Sequence, residues 1–122
     1  MSPLIGFDDR NERRRKYARL PIVVLCDICD PVTGKILGKG CVLNFSRGGL
    51  SVASPATIAW DTPVNLTVEG LDQEGFLSAK VVNVRPVTDE LFSYGLEFLG
   101  LNALQRIQVE RKFKKLFQAR LS

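Results

Sequence analysis

The chain of 122 residues contains no histidine, and that absence excludes more than most motifs supply. Imidazole is the side chain that most often moves protons near neutral pH and most often ligates metals. No nucleophile stands beside a base and no readable pair of carboxylates replaces it, so the chain is not expected to be an enzyme. Cysteine is scarce, at 3 residues. Cys26 and Cys29 spell C-x-x-C, but inside the β-branched run L-P-I-V-V-L-C-D-I-C. On a strand that odd spacing sends the two side chains to opposite faces, so they cannot share a zinc or close a disulfide without a kink. A redox pair belongs where a strand meets a helix N-terminus, which is not the setting here. All three cysteines are read as small buried hydrophobes, and no metal or cofactor is expected. Long apolar runs are missing too: no stretch reaches about 18 residues, so no membrane span is expected. The start, M-S-P-L-I-G-F-D-D-R, lacks the basic and then apolar segments of a secretory signal, and the expected location is the cytoplasm.

What is present is an ordinary globular balance, 45% apolar and 25% charged, in a length that suits one domain. The net charge of +4 is not evenly spread. Arg10, Arg13, Arg14, Arg15, Lys16 and Arg19 crowd one end, and Arg106, Arg111, Lys112, Lys114, Lys115 and Arg120 the other. An anion is therefore drawn to the termini and to whatever surface they lie against. The plain alternative for the C-terminal group is a solvated face.

Periodicity predicts mostly strands. Residues 1 to about 18 have no period and a high charge density, the composition of a flexible arm. A first strand is expected from about Leu20 to Cys29, ended by D-P-V-T-G, and a second from about Ile36 to Phe45. A short third covers Leu50 to Ala53 and a fourth Val64 to Glu69, where Val64, Leu66 and Val68 alternate with polar residues. The fifth spans about Phe76 to Val87, long enough to need a bend or bulge. The sixth carries Phe92, Tyr94, Leu96 and Phe98 on one face. The period then changes: Asn102 with Gln105 reads as a capping box, and Val109, Phe113, Leu116 and Phe117 recur at helical spacing over about 102–119, with Leu104 and Ile107 widening the apolar arc. Six strands and one amphipathic helix argue for a mainly β fold, a six-stranded antiparallel β-barrel with the C-terminal α-helix covering one end or side.

Between strands two and three stands N-F-S-R-G-G, residues 44 to 49. Strand parity places Cys41, Leu43 and Phe45 on one face and Val42, Asn44 and Ser46 on the other. Phe45 is then expected inward, with Asn44 and Ser46 side by side outside. Their carboxamide and hydroxyl suit the polar edge of a flat ligand such as a nucleobase. Gly48 and Gly49 are expected to allow positive φ and close approach. By spacing alone, a tight turn and a binding site are equal readings.

R-K-Y-A-R, residues 15 to 19, precedes the first strand, and N-F-S-R-G-G follows the second. This pairing of R-x-x-x-R with [D/N]-x-S-x-x-G, together with Y-G-L-E-F before the helix, resembles the PilZ domain, a bacterial receptor for the second messenger cyclic di-GMP. The resemblance runs from Arg13 to about Phe117. It implies a flexible segment over 1–12 and a PilZ-like domain over 13–122.

The resemblance further implies a ligand site. Arg15 and Arg19 would grip phosphates and offer guanidinium forks to guanine O6 and N7. Asn44, in place of the more frequent aspartate, and Ser46 would bond a guanine edge. Gly48 and Gly49 would leave room. Arg14 would admit a second nucleotide, so two cyclic di-GMP molecules per chain are expected. The implied mechanism is a switch: the arm closes on the ligand and an unidentified downstream partner protein reads the new surface. Two other readings remain at this stage, a small RNA-binding barrel and a PilZ-like protein-interaction module without ligand. Nucleic acid is not the first reading, because Phe92, Tyr94 and Phe98 fit a core face better than a stacking platform.

Overall fold

A computed structural model describes residues 23–121. Within them, β1 (Leu25–Cys29), β2 (Ile36–Phe45), β3 (Gly49–Ser54), β4 (Pro63–Val68), β5 (Leu77–Thr88) and β6 (Leu91–Phe98) precede one helix, α1 (Ala103–Leu121). The strands close into a barrel in the order β1-β2-β3-β6-β5-β4, every pair antiparallel. The expected six-stranded barrel with a C-terminal helix is therefore present. The described part of the first strand begins at Leu25, later than the expected Leu20. Val24 nevertheless continues its path, since its carbonyl accepts the Val42 N–H at 2.8 Å.

Alternation builds the core. Val64, Leu66 and Val68 of β4 point inward with Tyr94, Leu96 and Phe98 of β6, as period two requires. Cys26 and Ile28 do the same from β1, and Cys29 stands on the opposite face. Only Cys26 is buried; Cys29 and Cys41 are half-buried, so the expectation of three buried thiols fails for two of them. Turn chemistry joins β1 to β2: the Asp30 carboxylate accepts the Val32 and Thr33 N–H groups at 2.8 and 3.0 Å. The longer β3–β4 crossing is tied down by Tyr94, whose hydroxyl donates to the Ala56 carbonyl and accepts the Ile58 N–H.

Helix α1 starts where the capping box places it. The Asn102 carboxamide accepts the Gln105 N–H at 2.8 Å, and the Gln105 side chain accepts the Asn102 N–H at 2.9 Å. Val109, Phe113 and Leu116 enter the core, but Leu104 is 63% exposed and does not join the apolar arc. The helix lies across the barrel end where β2 finishes, because Phe45 stacks on Phe113 and Phe117 at ring separations of 5.5 and 5.2 Å. Arg120 donates to the Val23 carbonyl at the same end. Away from the helix, β5 outruns its neighbour: β4 pairs with it only from Leu77 to Lys80, so residues Val84 to Thr88 pair with β6 alone.

Candidate functional site

The N-F-S-R-G-G step reaches its outward pose by a route that parity alone does not show. Register shifts between Val42 and Asn44, so that Cys41 faces Ala53, Val42 faces Val52, Asn44 faces Ser51 and Phe45 faces Leu50. Leu43 is the extra residue of a β-bulge. Upstream of it the core residue is Val42, at 2% exposure, and not the expected Cys41 and Leu43 face. Leu43 itself is 51% exposed. Downstream the parity resumes one step out of phase, which brings Phe45 against the core and leaves Asn44 and Ser46 exposed, as expected for those three.

The glycines do not adopt the positive φ expected of them, and Gly49 has a packing role that was not foreseen. Neither Gly48 nor Gly49 has positive φ; that region is occupied by Gly34, Gly70, Gly75 and Gly100. Gly49 is buried where β3 meets β6, and a methyl group there would stand 1.8 Å from the Leu96 carbonyl oxygen. It is required by strand packing. Gly48 faces open space, with the Ser46 hydroxyl 4.0 Å from the place of a Cβ. The step is closed by the Ser46 N–H to the Gly49 carbonyl at 2.8 Å, and the Gly48 N–H donates to Ser46 Oγ at 3.3 Å.

Helix α1 fixes the step from behind. Arg106 Nη1 donates to the carbonyls of Arg47 and Gly48, each at 3.4 Å, and Nη2 donates to the Phe98 carbonyl at 3.3 Å. Arg47 Nε donates to Glu110 Oε1 at 2.8 Å. With Phe45 stacked on the helix, every second residue of the step has an anchor on α1 or the core, which leaves Asn44 and Ser46 as its outward polar face. Sequence reasoning did not give Arg106 this role, because its partners in the step are backbone carbonyls 58 and 59 residues away that no motif spells.

In front of the step lies a groove of about 420 Å³. Asn44, Ser46 and Gly48 form one side, and Ser51, Asn83, Gly95 and Glu97 the floor and far side. These far residues escaped sequence reasoning, since only the register of β3, β6 and β5 brings them beside Asn44. The Asn44 carboxamide makes no hydrogen bond with another described residue, so both its donor and its acceptor are available to a ligand. A larger depression of about 700 Å³ on the β1–β2 wall is mostly apolar. Its central charges, Lys39 and Asp27, satisfy each other at 2.9 Å. The smaller groove is the candidate site.

Arg14, Arg15 and Arg19 lie outside the described residues. The chain that carries them enters at Val23 and Val24, and the Val24 carbonyl bonds the Val42 N–H, two residues from Asn44. Among the described residues no acidic or thiol cluster is arranged to hold a metal ion, and no helix is long and apolar enough to cross a membrane.

No curated protein matches the chain. A solved structure described as the PilZ domain of CeSA from a cellulose-synthesizing bacterium superposes with a TM-score of 0.54, at 23% identity, over 82% of this chain and 98% of that one. At this identity the likeness speaks for the barrel and its helix. The sequence model of the PilZ domain matches residues 13–115, a span that takes in the N-terminal arginines, the N-F-S-R-G-G step, all six strands and most of α1. The chain belongs to the PilZ domain family.

Proposed function

We propose that this chain is a cyclic di-GMP receptor, in keeping with what PilZ domains in general do, and that the ligand lies on the outer wall of the barrel over Asn44, Ser46 and Gly48. The observation that carries this reading is the groove of about 420 Å³, walled by an unpaired carboxamide and a hydroxyl on a step held rigid from behind. The arginines are within reach of it. Arg19 is five residues from Val24, so an extended chain carries it up to about 17 Å, which spans from the Val42 contact to the groove. Arg15 and Arg19 grip the phosphates and present their forks to guanine. Asn44 and Ser46 bond a guanine edge, and Gly48 keeps the approach open.

Closing an arm over a dianionic ligand exchanges conformational entropy for charge-assisted hydrogen bonds and creates a surface that did not exist before. A partner protein reads that surface. The chain supplies a switch and no chemistry of its own. An RNA-binding role is less well supported: the exposed aromatics Trp60 and Phe76 flank opposite ends of the β4–β5 pair and make no continuous stacking platform.

Isothermal titration with cyclic di-GMP tests this reading. The wild-type chain binds two molecules, Arg14→Leu shifts the stoichiometry toward one, and Arg19→Ala and Ser46→Ala each weaken binding at least about tenfold, the scale of one lost charge-assisted or bidentate contact. A wild-type chain without affinity for cyclic di-GMP overturns it.

A further inference from the structure

The register of the barrel aligns four residues from four strands in one outward row. Asn44 of β2 faces Ser51 of β3, Ser51 faces Gly95 of β6, and Gly95 faces Asn83 of β5. Both outer members adjoin β-bulges: the register shifts between Val42 and Asn44 on one side and between Val81 and Asn83 on the other. Bulges re-aim side chains, and these two turn a carboxamide outward at each end of a floor made of a serine and a glycine. All four residues line the same groove. Asn83 is exposed and, like Asn44, makes no hydrogen bond with another described residue.

We infer, on the receptor reading above, that Asn83 is a second base-recognising residue, and that it takes the edge of the guanine that Asn44 and Ser46 do not hold. Three interstrand steps, about 14 Å measured along the curved wall at the usual strand spacing, separate the backbones that carry the two carboxamides, a span wider than one purine that suits a ligand with two. A carboxamide fits the guanine edge in both directions: its NH2 donates to O6 and its carbonyl accepts from N1–H. The floor favours a flat ring, because Gly95 has no side chain. A methyl group there would come within 3.0 Å of the Asn83 Cβ and narrow the groove.

Charge on the β6 wall favours a base over a phosphate beside Gly95. Glu97 lines the groove on the next outward row and makes no ion pair with another described residue. Its carboxylate repels phosphate oxygens and can accept from guanine N1–H or N2–H2.

The test titrates the full chain with cyclic di-GMP and compares wild type, Asn83→Ala, Asn83→Gln and Ser46→Ala. Asn83→Ala is expected to weaken binding about tenfold, the loss of one bidentate amide–base pair, and Asn83→Gln to recover most of it. In 15N-resolved spectra the Asn83 side-chain NH2 signals, assigned by their loss in Asn83→Ala, are expected to shift at saturating ligand. If wild type binds, Ser46→Ala weakens binding, and Asn83→Ala binds within twofold of wild type with those signals unmoved, Asn83 is not a reader while the receptor assignment stands. If wild type does not bind, both fall.

Discussion

At the scale of single residues, environment decides what each polar or reactive atom can do. Cys26 shows this away from the groove. Burial, reinforced by the negative charge of Asp27, pushes its thiol up to about 12 from an ordinary 9.0. The folded protein therefore holds Cys26 neutral where the unfolded chain would ionise it. The stabilising contribution is complete below pH 9.0 and is lost progressively as pH rises through about 12, because unfolding then releases a proton that the native state retains. Cys29 is shifted in the same direction, and Cys41 is only half-buried. Alkylation by iodoacetamide at pH 8 is expected to label Cys29 and Cys41 in the native state and to reach Cys26 only on the timescale of unfolding. Peptide mapping reads the order; labelling of Cys26 as fast as the others would contradict its placement. Asn44 illustrates the same dependence on surroundings, since nothing in its residue type separates a turn amide from a ligand contact until its side chain is found without a partner.

At the scale of elements, the helix and the motif step form one mechanical unit. Arg106 satisfies three carbonyls at the seam of β2, β6 and the step. Replacing it by Gln leaves most of them short of a donor and is expected to cost about 1–2 kcal/mol of stability. The opening should be local: the Phe98 N–H, bonded to the Gly48 carbonyl at 2.9 Å, should exchange with deuterium about tenfold faster in Arg106→Gln. Arg111→Gln, on the exposed side of α1, should leave that rate unchanged. Much of this scale was legible in advance. Period two in Val64–Val68 and in Tyr94–Phe98 and the change to helical spacing after Asn102 depend on local patterns, and local patterns survive in a sequence. The bulge at Leu43 does not. One inserted residue alters no composition and shows itself only in the partner strand, so the Cys41–Leu43 face was assigned inward when Val42 holds that place. The reason for Gly49 was hidden likewise, because the atom it avoids, the Leu96 carbonyl, belongs to a strand about 47 positions on.

For the whole molecule, a ligand that binds only the folded barrel must stabilise it. At a free concentration 100 times the Kd, linkage adds about 2.7 kcal/mol per site, and a chain of this size should melt roughly 10 °C higher. Thermal scans with rising cyclic di-GMP should show the midpoint climbing with the logarithm of concentration. A midpoint independent of ligand would contradict the receptor reading. The arrangement of β5 bears on whether the domain can associate through its sheet. Within the described residues, β5 beyond Val84 has β6 on one side only. Such a free edge invites strand addition from another chain and, between copies, runaway aggregation. Pro86 sits in the middle of it and offers no N–H, a bulge follows between Pro86 and Thr88, and Arg85 adds a charge. The free edge of β5 is thereby closed to sheet-like association, so a protein that docked along it would have to recognise side chains and could not extend the sheet there.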